Sequence, residues 1–182
     1  TSDWRDKAEL ELDPEWVKHL AERGVNSMIV FFSKGFGPKA EAPIRERAKR
    51  LVETARKAGL KTIAYLSDTI IVESFPVEEP DVVNWLQVAA DGEPVCYGGD
   101  QTYRRRGCFN NPKWIAYHQR VARLAFEAGF DAVHPDNSIW WPEPDGCRCD
   151  CCREGFRRFV LERYPTAEHV RDRFGVTTLA NV

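Results

Sequence analysis

"NPKWIAYHQRVARLAFEAGFDAVHPDN", residues 111–137, holds a helix, its stop and a strand in direct succession. Asn111 suits an N-cap and Pro112 the first helical position, while Trp114, Tyr117, Val121, Leu124 and Ala125 recur at helical spacing and predict a buried stripe. Gly129 offers the left-handed conformation that ends a helix, and the β-formers after it predict a strand. The same order occurs twice earlier. Asp13 and Pro14 open a helix burying Trp16, Val17 and Leu20, which stops at Gly24 and feeds "VNSMIVFF". A second helix with Ile44, Ala48, Leu51, Val52 and Ala55 on one face stops at Gly59 and feeds "LKTIAYLS". Strands alternating with helices of this length imply crossover connections and parallel strands, so the class is α/β.

Within that class the candidates are a barrel and an open doubly wound sheet. After the first strand, "FFSKGFGPKAEAP" offers only Gly35 and Gly37 and no Gly-x-Gly-x-x-Gly, which counts against a dinucleotide fold. The expectation is a partial (β/α)8 barrel. A complete one takes about 250 residues, so residues 1–182 are expected to form a single domain, the N-terminal part of a larger barrel.

Composition fits a globular chain with ample core material: 43% hydrophobic, 12% aromatic and 30% charged residues. With 26 Lys and Arg against 28 Asp and Glu, and Arg104, Arg105 and Arg106 as the only basic run, nucleic acid and anionic membranes are poor partners. No apolar run approaches the roughly 20 residues of a membrane span, and "TSDWRDKAEL" has no apolar signal region. The sequence opens at Thr1, so localisation stays open; clustered thiols lean toward the cytoplasm. A parallel sheet with open edges makes a homo-oligomer an expectation as well.

In a barrel the chemistry gathers at the C-terminal ends of the strands, here 33–38, 67–75 and 136–145. The long segment from Asp68 to Asn111, rich in Pro, Gly and acidic residues, reads as a functional loop. Period-two alternation in the third strand groups Ala132, His134 and Asp136 on one face, with Asp136 at the mouth beside Asn137. A carboxylate there can be a nucleophile, a general acid or base, or a clamp on substrate hydroxyls, and Asp136 is the catalytic candidate. His134, deeper in the strand, is expected to be a hydrogen-bonded core residue. Ile139, Trp140, Trp141 and Pro142 suit either a platform for stacking on sugar C–H faces or packing under a loop. The residues expected at this face are Ser33, Asp68, Arg104, Asp136 and Asn137.

Four of the six cysteines fall in "CRCDCC", residues 147–152. Cys147, Cys149 and Cys152 form Cys-x-Cys-x-x-Cys, which lets three thiolates converge on one tetrahedral ion. Cys108, just before the third helix and at the same end of the sheet, is the expected fourth ligand of a structural zinc. Disulfides, or a redox pair at Cys149 and Cys152, are the alternatives; Cys96 and Cys151 are bystanders.

These residues resemble glycoside hydrolase family 42, the zinc-containing β-galactosidases, and related glycoside-hydrolase-like barrel proteins. Arg104 stands four residues before Cys108, and Asn137 ten before Cys147, as the corresponding residues do in the family. The resemblance implies substrate binding by Arg104 and Asn137, zinc on Cys108, Cys147, Cys149 and Cys152, and O-glycosyl hydrolysis. The family's acid/base Glu directly follows that Asn, and here Ser138 takes its place. A serine hydroxyl is no general acid near neutral pH. The work then passes to Asp136, or to Glu143 or Asp145 from the loop, or the chain is a non-catalytic carbohydrate-binding or scaffold module.

Overall fold

The structure, a computed structural model, describes residues 13–98, 101–138 and 146–176. Its elements run in chain order as α1 (Pro14–Glu22), β1 (Ser27–Ser33), α2 (Pro38–Lys57), β2 (Lys61–Ser67), β3 (Ile70–Val72), α3 (Ser74–Glu78), a 3-10 turn (Pro80–Trp85), β4 (Arg104–Arg106), α4 (Pro112–Glu127), β5 (Ala132–Asp136), α5 (Asp150–Arg163) and α6 (Ala167–Phe174). The side chain of Asp13 caps α1 by accepting from the Glu15 N–H, and that of Asn111 caps α4 by accepting from the Lys113 N–H. Gly24, Gly59 and Gly129 all take positive φ where the chain leaves a helix for the next strand.

Strands β1, β2 and β5 lie in that order as one parallel sheet, with Phe31 opposite Tyr65, Tyr65 opposite His134, and Ser67 opposite Asp136. Consecutive helix-connected strands thus sit side by side, as staves of a barrel do. Val30, Phe32, Ala64 and Leu66 are buried in one cluster with Ile44, Ala48, Leu51, Val52 and Ala55 of α2 and with Tyr117, Val121 and Ala125 of α4. Each large apolar side chain buried there contributes about 1.5–3 kcal/mol. The alternate face is more open: Ile29 is 55% exposed, and Ile63, Tyr65 and Ala132 are only partly covered.

Several expectations change in detail. Trp16 is 54% exposed, with His19 against its ring edge, because the stripe of α1 facing the core is Val17, Leu20 and Ala21. Leu124 is 37% exposed at the margin of the stripe formed by Trp114, Tyr117, Val121 and Ala125. His134 is exposed, not a core residue, since among the described residues β5 is an edge strand whose face is left open. The segment between β2 and α4 is no bare loop, for β3 and β4 pair antiparallel within it. No helix among the described residues is long and apolar enough to cross a membrane.

Candidate active site and metal centre

The C-terminal ends of β2 and β5 are fastened together where Asp68 N–H donates to the Asp136 carbonyl at 2.8 Å. Asp136 points its carboxylate at Tyr65, whose hydroxyl donates to Oδ2, and Asn137 Nδ2 donates to the same oxygen at 2.9 Å. Tyr65 comes from the same face of β2, which the pairing register places beside β5. Burial, followed by the Asp136 contact, pushes the Tyr65 phenol well above the ordinary tyrosine range, so it stays a donor.

Asn137 holds φ at 64°, a left-handed conformation uncommon outside glycine and tolerated best by Asn and Asp. Three contacts hold it there: its amide donates to Asp136, its Oδ1 accepts from Tyr97 Oη at 3.1 Å, and its carbonyl accepts from Thr69 Oγ1 at 2.8 Å. Arg104 lies over the Tyr97 ring at 3.9 Å and donates to Gln101 Oε1 at 2.6 Å. Arg104, Tyr97, Asn137, Asp136 and Tyr65 therefore form one connected polar cluster at the strand ends.

Asp68 stands beside it. Its Oδ2 accepts from Ser138 Oγ at 2.6 Å, and its Oδ1 lies 3.5 Å from His118 Nδ1. Its carbonyl accepts from Trp114 Nε1 at 3.1 Å. Gly107 lets Trp114 come so close, since a Cβ at that position would lie 2.2 Å from the indole ring. Burial lowers the His118 imidazole below the ordinary 6.5, and the charge of Asp68 pulls it partly back.

Ser33, expected on the open face, is instead buried and donates to Glu41 Oε2 at 2.8 Å. Glu41, fully buried, also accepts from the backbone N–H groups of Lys34, Gly35 and Phe36 and from Arg45 at 2.7 Å. It anchors the β1–α2 loop and is not open to a ligand. Trp140, Trp141, Glu143 and Asp145 lie outside the described residues.

The sulfurs of Cys108, Cys147, Cys149 and Cys152 lie within 4.8 Å of one another. Cys108 Sγ is 3.4 Å from both Cys149 and Cys152 and 3.9 Å from Cys147. Four thiolates on a tetrahedral ion with bonds of about 2.3 Å would sit about 3.8 Å apart, so the group can hold a metal ion with little movement. Donors already surround it: Val88 N–H and Cys149 N–H point to Cys147 Sγ, Asn110 N–H to Cys108 and Asn110 Nδ2 to Cys152. Such contacts orient and tune thiolate ligands. Cys96 and Cys151 are not among the four, although Cys151 makes a side-chain contact with Cys149.

The centre also reaches the polar cluster. Cys108 follows β4, which carries Arg104, and precedes α4, which carries Trp114 and His118. Arg148 N–H donates to the Val88 carbonyl, fixing the cysteine strap to the segment that leads to Tyr97.

The sequence reading missed Tyr65, Tyr97, Glu41 and His118. Tyr65 was within reach of it, since period two in β2 places that ring on the face of Asp136 once the strands are paired in parallel.

No protein-family profile matches the chain. The chain is 28% identical over 131 residues to the β-galactosidase BgaH of Haloferax lucentense, a match covering 69% of this chain and 19% of that protein. In structure it is similar to the GH42 β-galactosidase Gan42B of G. stearothermophilus, with a TM-score of 0.64 and 20% identity over 98% of this chain and 26% of that one. It is likewise similar to a β-galactosidase of the Antarctic haloarchaeon Halorubrum lacusprofundi, with a TM-score of 0.63 and 20% identity over 89% and 24%. The chain thus spans about a fifth of the curated relative and about a quarter of each structure. Its fold is a partial (β/α) barrel, and the chain is related to the GH42-like glycoside hydrolases.

Proposed function

We propose that this chain is a glycoside-hydrolase-like barrel segment that acts on carbohydrate by O-glycosyl hydrolysis, with one structural zinc. The observation carrying the reading is the cluster at the ends of β2 and β5, where Asp136 and Asn137 share contacts with Tyr65 and Tyr97 beside Arg104. Sugars present many hydroxyls, each donor and acceptor, and a site of interleaved carboxylate, amide, phenol and guanidinium groups answers both. Asp136 would supply a catalytic carboxylate, Arg104, Asn137 and Asp68 would bind substrate, and Trp140 would stack on the ring. Asp136 Oδ2 already takes two donors, which leaves Oδ1 to face a ligand.

Zinc would be held by Cys108, Cys147, Cys149 and Cys152. Four thiolates leave no vertex for water, so the ion would shape the loops and take no part in bond cleavage.

The test is hydrolysis of a panel of α- and β-linked 4-nitrophenyl glycosides by the chain and by Asp136→Asn. Turnover should fall by at least about 100-fold in the variant, with circular dichroism unchanged; retained turnover removes Asp136 from the mechanism. Ser138, standing where the family carries its Glu, favours a second reading as a non-catalytic carbohydrate-binding module. Calorimetric binding of sugars without any cleavage would establish that reading instead.

A further inference from the structure

Two aspartates stand at the adjoining ends of β2 and β5, joined where Asp68 N–H donates to the Asp136 carbonyl, and the surroundings of their carboxylates differ. Asp136 faces fixed donors, Tyr65 Oη and Asn137 Nδ2, neither of which gives up a proton near neutral pH. Asp68 faces a titratable partner, His118, whose Nδ1 is 3.5 Å from Oδ1. Such a distance is at the outer limit of hydrogen bonding, as catalytic contacts often are before substrate binds. The imidazole packs edge-on against Trp114, ring centroids 4.3 Å apart, and against Tyr117 at 5.5 Å, and those two rings stack on each other. Its Nε2 is buried without a hydrogen-bond partner among the described residues.

Asp68 is also fixed in place. Its N–H is bound to Asp136, its carbonyl to Trp114, and its other carboxylate oxygen to Ser138 at 2.6 Å. Ser138 holds the position where the resembling family carries its proton-transferring Glu. Through that contact, the carboxylate of a neighbouring strand comes to the place where this chain lacks one of its own.

We propose that Asp68, positioned by His118 and Ser138, is the general acid of the hydrolysis, an assignment that rests on the glycosidase reading above. The bond between the anomeric carbon and the leaving oxygen breaks, its electron pair departs with the oxygen, and the Asp68 carboxyl supplies the proton. Water delivers the replacing oxygen to the anomeric carbon and returns a proton to Asp68, so the cycle closes without an outside oxidant or reductant. Asp136 is then left to face the anomeric carbon. His118 is a positioning residue: Asp68 is the charged group that faces it, with Tyr117 the titratable group beside it on α4.

The experiment compares 4-nitrophenyl with 2,4-dinitrophenyl glycosides, since the dinitrophenolate departs without protonation. For Asp68→Asn, kcat/KM on the 4-nitrophenyl substrate should fall about 100- to 10,000-fold, and on the dinitrophenyl substrate by less than about tenfold. Asp136→Asn should lose both alike. In His118→Phe the loss should fall on kcat with KM little changed, and should again be larger on the 4-nitrophenyl substrate; this variant carries the test if Asp68→Asn does not fold. An active wild type whose Asp68→Asn variant loses equal activity on both leaving groups, or none, overturns this assignment alone, as does an unchanged kcat in His118→Phe. A wild type that cleaves no glycoside of the panel overturns the hydrolase reading and this assignment with it.

Discussion

Glu41 shows what a single residue can fix. In the sequence it is one of several charges near the start of an amphipathic helix, with no pattern to separate it from the solvated ones. In the structure it is fully buried and accepts from Ser33, from three successive backbone N–H groups and from Arg45. Gly35 makes that geometry attainable, because at its φ of 86° a Cβ would lie 1.8 Å from the Ile70 carbonyl oxygen. A neutral amide in place of the carboxylate would turn an N–H₂ group toward some of these donors and leave the guanidinium of Arg45 without its charge partner. Breaking a buried pair from one side costs about 3–5 kcal/mol. Glu41→Gln is expected to lower stability toward that range, read as a drop in the urea midpoint at unchanged slope. A midpoint within error of the wild type would show the loop to be held by other contacts.

At the scale of elements, the four-cysteine group joins pieces that have little other reason to stay together. The segment from Trp85 to Tyr97 has little regular structure; the Cys108 N–H binds the Trp85 carbonyl and Cys147 Sγ takes the Val88 N–H. An ion on the four sulfurs would lock the start of α4, the strap after β5 and the start of α5 in one step. Cys152→Ser is expected to abolish stoichiometric metal in native mass spectrometry. Loss of about 3 kcal/mol would lower the thermal midpoint by about 6–12 °C. Cys151→Ser, one position away and outside the group, should change neither. Equal effects from the two substitutions would defeat the zinc assignment. The convergence of the four cysteines was legible because Cys-x-Cys-x-x-Cys spacing is a local property of sequence, and so were the helix caps and glycine stops. His134 was misjudged for the opposite reason: its burial depends on what lies against β5, and no local pattern encodes that. Tyr97, which meets Asn137 at a separation of 40 positions, and His118, which meets Asp68 at a separation of 50, were hidden in the same way.

Across the whole molecule, the three parallel strands carry helices on one face and leave the other incompletely covered. Ile29 is 55% exposed there, Ile63 and Tyr65 are half-buried, and β1 and β5 present unpaired edges among the described residues. Open edges template association, and Pro135 blunts only one of them, by removing a donor from β5. On α5, Phe156, Phe159 and Leu161 are each about half exposed, adding apolar surface on a second side. The strand alternation that made the barrel readable at 182 residues thus also implies that this length of chain, in isolation, is drawn to further protein. We expect it to self-associate, with a sedimentation coefficient that climbs over a hundredfold rise in concentration. Replacing Ile29 with Lys, on the open face and away from the strand ends that carry Asp68 and Asp136, should shift that curve toward monomer and leave metal content unchanged. A wild-type chain whose coefficient stays flat at the monomer value would mean that the open face is covered from within, by residues outside those described.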